Sequence, residues 1–245
     1  MTEGAAGKES DFLKADIACL NPQALHATLI SSVGNHCQVW RTSKRDENPS
    51  PEIQEEDPAY LEFVIKYPVI HYSDSEIRLL ARHYRLLKQQ LDDIIPDALF
   101  FISRINGRRN ICVLAKAVNI WFNIANPQFE EEAIPLLKEY PKARNQLERF
   151  ITTVDALRNS DSPRLIDLYG LDNLVLDNNR EIRFVDSFDV FFFEDMIELF
   201  QDTDPELQMK IDISLERLVY LKKILVIAKA TAAASKKTTE SQPAD

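Results

Sequence analysis

The chain has 245 residues, 45% of them apolar and 28% charged, which is typical of a folded protein with a sizeable core. Its 39 acidic residues outnumber its 29 basic residues, so the net charge is −10. This charge repels nucleic acid and anionic membranes, and the basic residues are scattered, so we expect neither as a partner.

The cysteines and the N-terminal sequence indicate a cytoplasmic protein. The three cysteines, Cys19, Cys37 and Cys112, form no CxxC pair and are typical of reduced thiols. The opening sequence MTEGAAGKESDFLK lacks the basic segment followed by an apolar one that a secretory signal requires. The longest apolar stretches are shorter than the roughly 20 residues that span a bilayer, so no membrane segment is expected.

The first half of the chain is predicted to consist mainly of strands. After a partly helical N-terminal extension (residues 1–26), two strand-like runs begin at Ala27, ATLISSVG and HCQVWR. A loop rich in acids and prolines separates them from LEFVIKYPVI, whose β-branched and aromatic residues predict a third strand. Further on, two apolar runs around Asn106-Gly107 predict a β-hairpin.

One helix is predicted within this half, in SDSEIRLLARHYRLLKQQLDDIIP. Ser73 and Glu76 have the spacing of a capping box, in which each side chain bonds the backbone N–H of the other residue. The apolar residues that follow recur at helical spacing and form one stripe: Ile77, Leu80, Tyr84, Leu87 and Leu91.

The second half is predicted to be mostly helical, with a boundary near residues 117–120. From Asn119 onwards the sequence has helical character. Helices are expected at residues 128–139, 142–158, 189–201 and 205–233. A single hairpin within residues 167–188 interrupts them, and the small polar residues 235–245 are expected to form a disordered tail.

Acid and amide groups stand at the open end of this hairpin. Asn173 precedes its first apolar run, and Asp186 follows its second run, thirteen residues later. Because the two strands pair, these ends should meet, and oxygen atoms are the ligands that Mg²⁺ prefers. The alternative from the local sequence is that both residues only cap turns, as Asn and Asp often do.

In their order, these elements resemble the protein-kinase-like superfamily, including the aminoglycoside-phosphotransferase-like and compact bacterial kinases. The resemblance extends from about Ala27 to Phe200. It implies an α+β, bilobal fold, with a small antiparallel-sheet N-lobe holding one helix (residues 27–117) and a reduced, mostly helical C-lobe (residues 118–234). The segment after Asp186 is expected to continue directly into a helix, which favours a compact phosphotransferase.

The resemblance implies roles for four residues. Lys66, in FVIK, matches the strand lysine that contacts the α- and β-phosphates of ATP. Asn173 and Asp186 match the pair that holds Mg²⁺. Asp167 would receive the proton of the acceptor hydroxyl, although it precedes Asn173 by six residues where the family has five, and no His-Arg pair stands before it. Asp172 is an alternative carboxylate for this role.

The phosphate-covering loop of the family is only partly matched. When Val39 is aligned with the final Val of G-x-G-x-x-G-x-V, only Gly34 keeps a glycine. Ser32 takes the position of the first glycine and could offer a hydroxyl to a phosphate.

Two further contacts follow from the resemblance. The helix carboxylate that pairs with Lys66 is expected to be Glu76, although His83 occupies the position that matches by register. The adenine is expected to contact backbone groups around Lys116 to Val118.

The function implied is an ATP-dependent, Mg²⁺-requiring kinase that phosphorylates an unidentified hydroxyl acceptor, either a small molecule or a protein. The alternative is a pseudokinase, a nucleotide-binding or regulatory module without phosphoryl transfer. A third reading is a mixed α/β interaction protein in which the Asn and Asp residues have no shared role.

Overall fold

The computed structural model describes residues 27–31, 37–42, 62–105, 108–186, 188, 190–193 and 204–240. The predicted N-terminal extension and the Asn106-Gly107 turn lie outside these ranges. The chain divides into two compact units. The first contains the described residues up to Ala81 together with Asp97–Ala117, and the second contains Arg82–Pro96 together with the described residues from Val118 onwards.

The first unit is built on a five-stranded antiparallel sheet. Its strands are β1 (Ala27–Ser31), β2 (Cys37–Thr42), β3 (Phe63–Pro68), β4 (Ala98–Ile105) and β5 (Arg108–Lys116). They lie in the order β1-β2-β3-β5-β4, so β3 is the central strand. The β4–β5 pairing runs from Ala98 opposite Ala115 to Ile105 opposite Arg108, which agrees with the predicted hairpin.

Helix α1 (Asp74–Leu91) follows β3, as the sequence predicts. Its start is the predicted capping box, because Ser73 N donates to Glu76 Oε2 at 2.7 Å and Glu76 N donates to Ser73 Oγ at 3.3 Å. The whole apolar stripe is buried: Ile77, Leu80, Tyr84, Leu87 and Leu91. The residues of α1 up to Ala81 belong to the first unit and the remainder to the second.

A buried asparagine fixes the chain between β3 and α1. Asn110, on β5, is 6% exposed. Its Oδ1 accepts from the backbone N–H of Tyr72 (3.3 Å) and of Ile111 (2.9 Å), and its Nδ2 donates to the carbonyl of Ile70 (2.9 Å). The Asn110 side chain thus supplies hydrogen-bond partners to backbone groups of the connection between β3 and α1, which pairs with no described strand.

The second unit contains the remaining strands and helices. They are β6 (Ile120–Phe122), α2 (Glu130–Glu139), α3 (Pro141–Arg158), β7 (Arg164–Ile166), β8 (Leu174–Asp177), β9 (Ile182–Phe184), β10 (Phe191–Phe193) and α4 (Pro205–Glu240), with 3-10 turns at Asp92–Ile94 and Pro127–Phe129. Strands β6, β8 and β9 form a three-stranded sheet in that order. Strand β7 pairs antiparallel with β10 in a separate two-stranded sheet.

The helices enclose the core of this unit. The apolar face predicted for α3 is buried: Leu147, Phe150, Ile151, Val154 and Leu157. Helix α4 packs against α2 and α3, where Lys222 pairs with Asp155 at 2.7 Å and Lys223 with Glu130 at 2.7 Å. Among the described helices, none is both long and apolar enough to cross a membrane.

The α+β class predicted from the sequence is confirmed, with an antiparallel sheet and four helices among the described residues. Two local predictions are wrong. Residues Phe191–Phe193 form β10, not the start of a helix at residues 189–201, because their backbone pairs with β7. Ile120–Phe122 likewise form β6, paired with β8, where helical character was expected. In both places a distant strand supplies hydrogen bonds that override local preference.

Helix α4 is longer than predicted. It begins at Pro205, as expected, but continues to Glu240, into the segment predicted to be a disordered tail. The small residues of TAAASKKTTE include good helix formers, and these extend a helix that tertiary packing already holds further upstream.

Replacing Asn110 should destabilise the first unit. We expect Asn110→Ala to lower the free energy of unfolding by about 2–3 kcal/mol, because it removes the hydrogen bonds to the buried backbone N–H groups of Tyr72 and Ile111. Urea unfolding measures the change. The matched control is Gln38→Ala, an exposed amide on β2 of the same unit, which should change it by less than about 0.5 kcal/mol. Equal losses in the two variants would contradict the role assigned to Asn110.

Candidate functional site

Lys66 is a buried lysine on the central strand of the first unit. Its residue is 8% exposed, and on β3 it lies opposite Val39 of β2 and Val113 of β5. Lysine is rarely buried to this extent, since its charge loses hydration. The buried Lys66 thus has a neighbouring strand on each side, and a lysine ammonium is a group that binds anions.

The other predicted nucleotide contacts of the first unit are only partly described. Val39 is half-buried beside Lys66. Lys116 ends β5 with an exposed side chain, and its backbone N–H donates to the carbonyl of Asp97 at 2.8 Å. Val118, the first residue of the second unit beyond β5, is half-buried. Ser32 and Gly34 lie outside the described residues.

Glu76 is engaged at the start of α1. Its carboxylate accepts from Ser73 N (2.7 Å) and Ser73 Oγ (2.6 Å), and these bonds hold the pKa of Glu76 below its ordinary value. His83, the alternative by register, is 8% exposed, and its ring meets the ring of Phe191 edge-on at 5.3 Å. A pairing of either residue with Lys66 stays a prediction.

The hairpin of the second unit brings Asn173 and Asp186 to adjacent strand ends. Leu174 lies opposite Phe184 in the β8–β9 register. One step further, Val185 N donates to the carbonyl of Asn173 at 2.9 Å, so Asp186 follows directly after the residue that is bonded to Asn173. Two short strands thus place the two candidate ligands at the same end of the hairpin.

The side chain of Asn173 has a defined orientation. Its Nδ2 donates to the carbonyl of Asp167 at 3.2 Å, and its backbone N–H donates to the carbonyl of Gly170 at 3.2 Å. Among the described residues, no donor hydrogen-bonds its Oδ1. The amide therefore uses its nitrogen within the loop and keeps its oxygen as an acceptor.

The oxygen atoms at this hairpin end suit a hard cation as ligands. They are the Asn173 amide oxygen and the carboxylate of Asp186, whose Oδ1 also accepts from Phe188 N at 3.3 Å. Mg²⁺ binds with one or two protein oxygen ligands and completes its shell with water and phosphate. Within the described ranges, no cluster of three or more His, Cys, Asp or Glu residues could hold a metal ion.

Asp167 is fixed at the end of β7. Its backbone N–H donates to the carbonyl of Val190 at 3.0 Å, which extends the β7–β10 pairing by one residue. Its Oδ1 accepts from Tyr169 N at 2.7 Å, as in an Asx turn. Together with the bond from Asn173 to its carbonyl, these contacts join Asp167 to the hairpin end.

Asp172, the alternative carboxylate, faces a different element. Its Oδ1 accepts from Asn123 Nδ2 at 2.9 Å, and the residue is exposed. The loop thus connects Asp167 with Asn173, while Asp172 is bonded to the chain beyond β6.

Gly170 makes room for the Asn173 amide. A Cβ on Gly170 would stand 2.8 Å from Asn173 Cγ and closer still to its Oδ1. The backbone φ of Gly170 lies outside the left-handed region, so the loop requires the missing side chain here rather than the conformational freedom of glycine.

Two residues of α4 that no sequence motif indicates hold this loop. Ser214 Oγ accepts from Leu168 N at 3.1 Å, and Arg217 Nη1 donates to the carbonyls of Leu168 and Tyr169. Burial lowers the pKa of the Arg217 guanidinium, and the nearby Asp167 opposes that shift. A serine and an arginine within a helix carry no local signal that would connect them with a loop more than 40 residues earlier.

An ion network fixes the opposite, turn end of the hairpin. Arg183 pairs with Asp177 (3.1 Å) and with Glu181, and its Nη1 donates to the carbonyl of Asp93 at 2.7 Å. Burial alone would raise the pKa of Glu181, but hydrogen bonds from Lys142 and Arg183 outweigh it and lower the pKa. The hairpin is therefore held at both ends.

No protein-family model matches the chain, and a search of curated proteins found no significant match. The chemistry of the residues described above therefore carries the functional argument.

The contact between Gly170 and Asn173 predicts an energetic coupling. Gly170→Ala should destabilise the protein by about 1–3 kcal/mol through crowding of the amide. In an Asn173→Ala background the same change should cost about 1 kcal/mol less, because the crowded atoms are gone. Urea unfolding of the four proteins in this cycle measures the coupling. A cost that is equal in both backgrounds would show that Gly170 has another role.

The ion network predicts a pH-dependent contribution to stability. Because the pKa of Glu181 is lowered on folding, its ionised form stabilises the protein above the ordinary value of 4.5, and this contribution is lost as the pH falls through the lower folded-state pKa. Glu181→Gln should therefore be less stable than the wild type at pH 7, with the difference shrinking towards pH 3. Unfolding curves at both pH values test this. The control, Glu216→Gln at an exposed position of α4, should change the free energy of unfolding at pH 7 by less than about 0.5 kcal/mol.

Proposed function

We propose that the chain is an ATP-dependent, Mg²⁺-requiring phosphotransferase with a bilobal, protein-kinase-like fold. The observation that carries the proposal is the arrangement of the hairpin end. Asn173 donates its Nδ2 to the carbonyl of Asp167, keeps its Oδ1 as an acceptor, and lies beside the strand that leads to Asp186. An acid, an amide and a second acid are thereby gathered in one loop and one hairpin.

The proposed function gives each candidate residue a role in phosphoryl transfer. Lys66 binds the α- and β-phosphates, and the backbone around Lys116 to Val118 receives the adenine. Asn173 and Asp186 supply oxygen ligands to Mg²⁺, which neutralises phosphate charge when it is bound. Asp167 orients the acceptor hydroxyl and takes its proton. Most of the rate enhancement comes from positioning and charge neutralisation, since this reaction needs little covalent work from the protein.

The loop tolerates the extra residue between Asp167 and Asn173. The turn at Gly170, where Asn173 N bonds the carbonyl of Gly170, takes up the longer spacing. The side-chain bond from Asn173 to Asp167 still closes the loop at 3.2 Å. This closure supports Asp167 as the general base, because the added residue leaves it connected to the metal ligand.

The secondary-structure elements of each unit support the proposed lobes. The first unit has an antiparallel sheet with a buried lysine on its central strand, followed by a helix. The second has helices and the hairpin with Asn173 and Asp186. Cys112 is a buried free thiol, which favours a cytoplasmic location. The acceptor is a hydroxyl compound or a protein hydroxyl, and the net negative charge argues against nucleic acid or membrane partners.

A nucleotide-binding pseudokinase is the second candidate. It is favoured by Glu76, whose carboxylate is engaged by Ser73 at the start of α1, and by His83, which occupies the position that matches by register. This candidate keeps Mg-ATP binding and lacks transfer.

Nucleotide binding is tested by calorimetry with Mg-ATP. The wild type should bind, and Asp186→Ala should weaken binding at least about tenfold, because one of two protein ligands to the metal is removed. Asp161→Ala, an exposed aspartate in the loop before β7, is the matched control and should bind as the wild type does. Wild-type protein that does not bind Mg-ATP would refute both candidates.

Transfer is tested by ATP turnover and phosphate incorporation. Asp167→Asn should lower turnover by about 100-fold or more while ATP affinity stays within about twofold, because general-base catalysis is lost and binding is kept. Asp172→Asn should retain turnover, since its carboxylate bonds Asn123. Loss in Asp172→Asn instead would assign the base to Asp172. Nucleotide binding without any wild-type turnover would favour the pseudokinase.

A further inference from the structure

One face of α4 lies against the residues that follow Asp167. Lys210, Ser214 and Arg217 occupy this face, at helical spacing. The Lys210 Nζ stands 5.8 Å from the centre of the Tyr169 ring, and the other two side chains bond the loop backbone directly. All of these residues belong to the second unit.

Ser214 is a fixed acceptor for the loop. Its side chain is wholly buried, and its hydroxyl donates to the carbonyl of Lys210 at 2.8 Å. A hydroxyl has one hydrogen to donate, so its remaining capacity is as an acceptor. Leu168 N supplies the donor at 3.1 Å. The direction of this bond is therefore set by the helix.

Arg217 completes the contact from the next turn. Its Nη1 donates to the carbonyls of both Leu168 and Tyr169. The remaining backbone group of these two residues, Tyr169 N, is bonded by the Asp167 carboxylate at 2.7 Å. Of the four backbone polar groups of Leu168 and Tyr169, α4 therefore binds three and Asp167 binds the fourth.

This arrangement makes the Asp167 carboxylate depend on α4. The carboxylate is oriented by Tyr169 N, and Tyr169 is in turn oriented by Arg217. Any change in the path of Leu168 and Tyr169 moves the N–H that holds the carboxylate. A flexible loop would leave this acid with several directions, and the contacts of α4 with the loop restrict them.

We propose that Ser214 and Arg217 are positioning residues that set the conformation of the loop from Asp167 to Tyr169 and so the direction of the Asp167 carboxylate. Neither residue needs to touch a substrate for this role. The effect on turnover rests on the proposed function, whereas the effect on the loop does not.

The loop itself is tested by residue-resolved amide hydrogen exchange on the full chain without nucleotide. Ser214→Ala and Arg217→Met should each speed exchange at Leu168 and Tyr169 by about tenfold or more. Ser214→Ala removes the acceptor of Leu168 N, and Arg217→Met releases the carbonyls of Leu168 and Tyr169, so the loop that holds Tyr169 N against Asp167 is loosened. The matched control is Lys222→Met, another cation of α4, which pairs with Asp155 away from the loop. It should leave the exchange rates of the Leu168 and Tyr169 amides unchanged. Unchanged exchange in Ser214→Ala and Arg217→Met would overturn the proposal.

The conservative variant Arg217→Lys provides a milder test that preserves charge. One ammonium cannot reproduce the planar guanidinium, so loop exchange should be intermediate between the wild type and Arg217→Met. If Arg217→Met unfolds, Arg217→Lys and Ser214→Ala decide the outcome. Exchange that rises equally throughout α4 and the loop in these variants would show a general structural role and would overturn the proposal.

The kinetic readout separates positioning from binding. In Arg217→Lys and Ser214→Ala, kcat should fall about 10-fold to 100-fold with the KM for ATP within about twofold, because misplacing a catalytic group by about 1 Å can cost about 100-fold. A 10-fold to 100-fold rise in the KM for ATP without loss of kcat would overturn the catalytic part of the proposal. Failure of the wild type to bind Mg-ATP would refute the proposed function instead, and the exchange result would still decide the positioning of the loop.

Discussion

The hydrogen bond from Asn173 Nδ2 to the carbonyl of Asp167 joins two separately built parts of the second unit. On one side, the β7–β10 pairing fixes the backbone of Asp167. On the other, the β8–β9 hairpin fixes Asn173 beside the strand that leads to Asp186. Gly170 leaves space for the amide that makes the connection. This bond thus connects the loop and the hairpin that carry the three candidate side chains, Asp167, Asn173 and Asp186.

Local patterns predict the elements whose stabilising contacts are close in sequence. The stripe of α1 and the Ser73–Glu76 cap are examples, and so is the β8–β9 hairpin, whose strands are separated by a short turn. The two strands β7 and β10 have three residues each and acquire strand structure only by pairing with each other. A run of three phenylalanines is compatible with a helix or a strand, and the distant partner decides between them.

The same distinction applies to the candidate site. The meeting of Asn173 with the chain before Asp186 follows from the hairpin and is visible in the spacing of the sequence. The contacts of Ser214 and Arg217 connect residues 46 to 49 positions apart, and nothing near either residue indicates them. For Glu76 the sequence suggests two roles, the cap of α1 and a pairing with Lys66, and does not decide between them. In the structure the Glu76 carboxylate is bonded to Ser73, in the cap.

The position of α4 in the chain has a consequence for synthesis. Leu168 and Tyr169 leave the ribosome before Ser214 and Arg217, which supply most of their backbone hydrogen bonds. Strands β7 to β10 can pair earlier, but the loop between β7 and β8 obtains its partners only when the following helix has been translated and docked. Translation that stops before Ser214 therefore yields a chain that contains Asp167, Asn173 and Asp186 without the helix that bonds Leu168 and Tyr169. The candidate site is completed late, by a helix that contributes none of its proposed ligands.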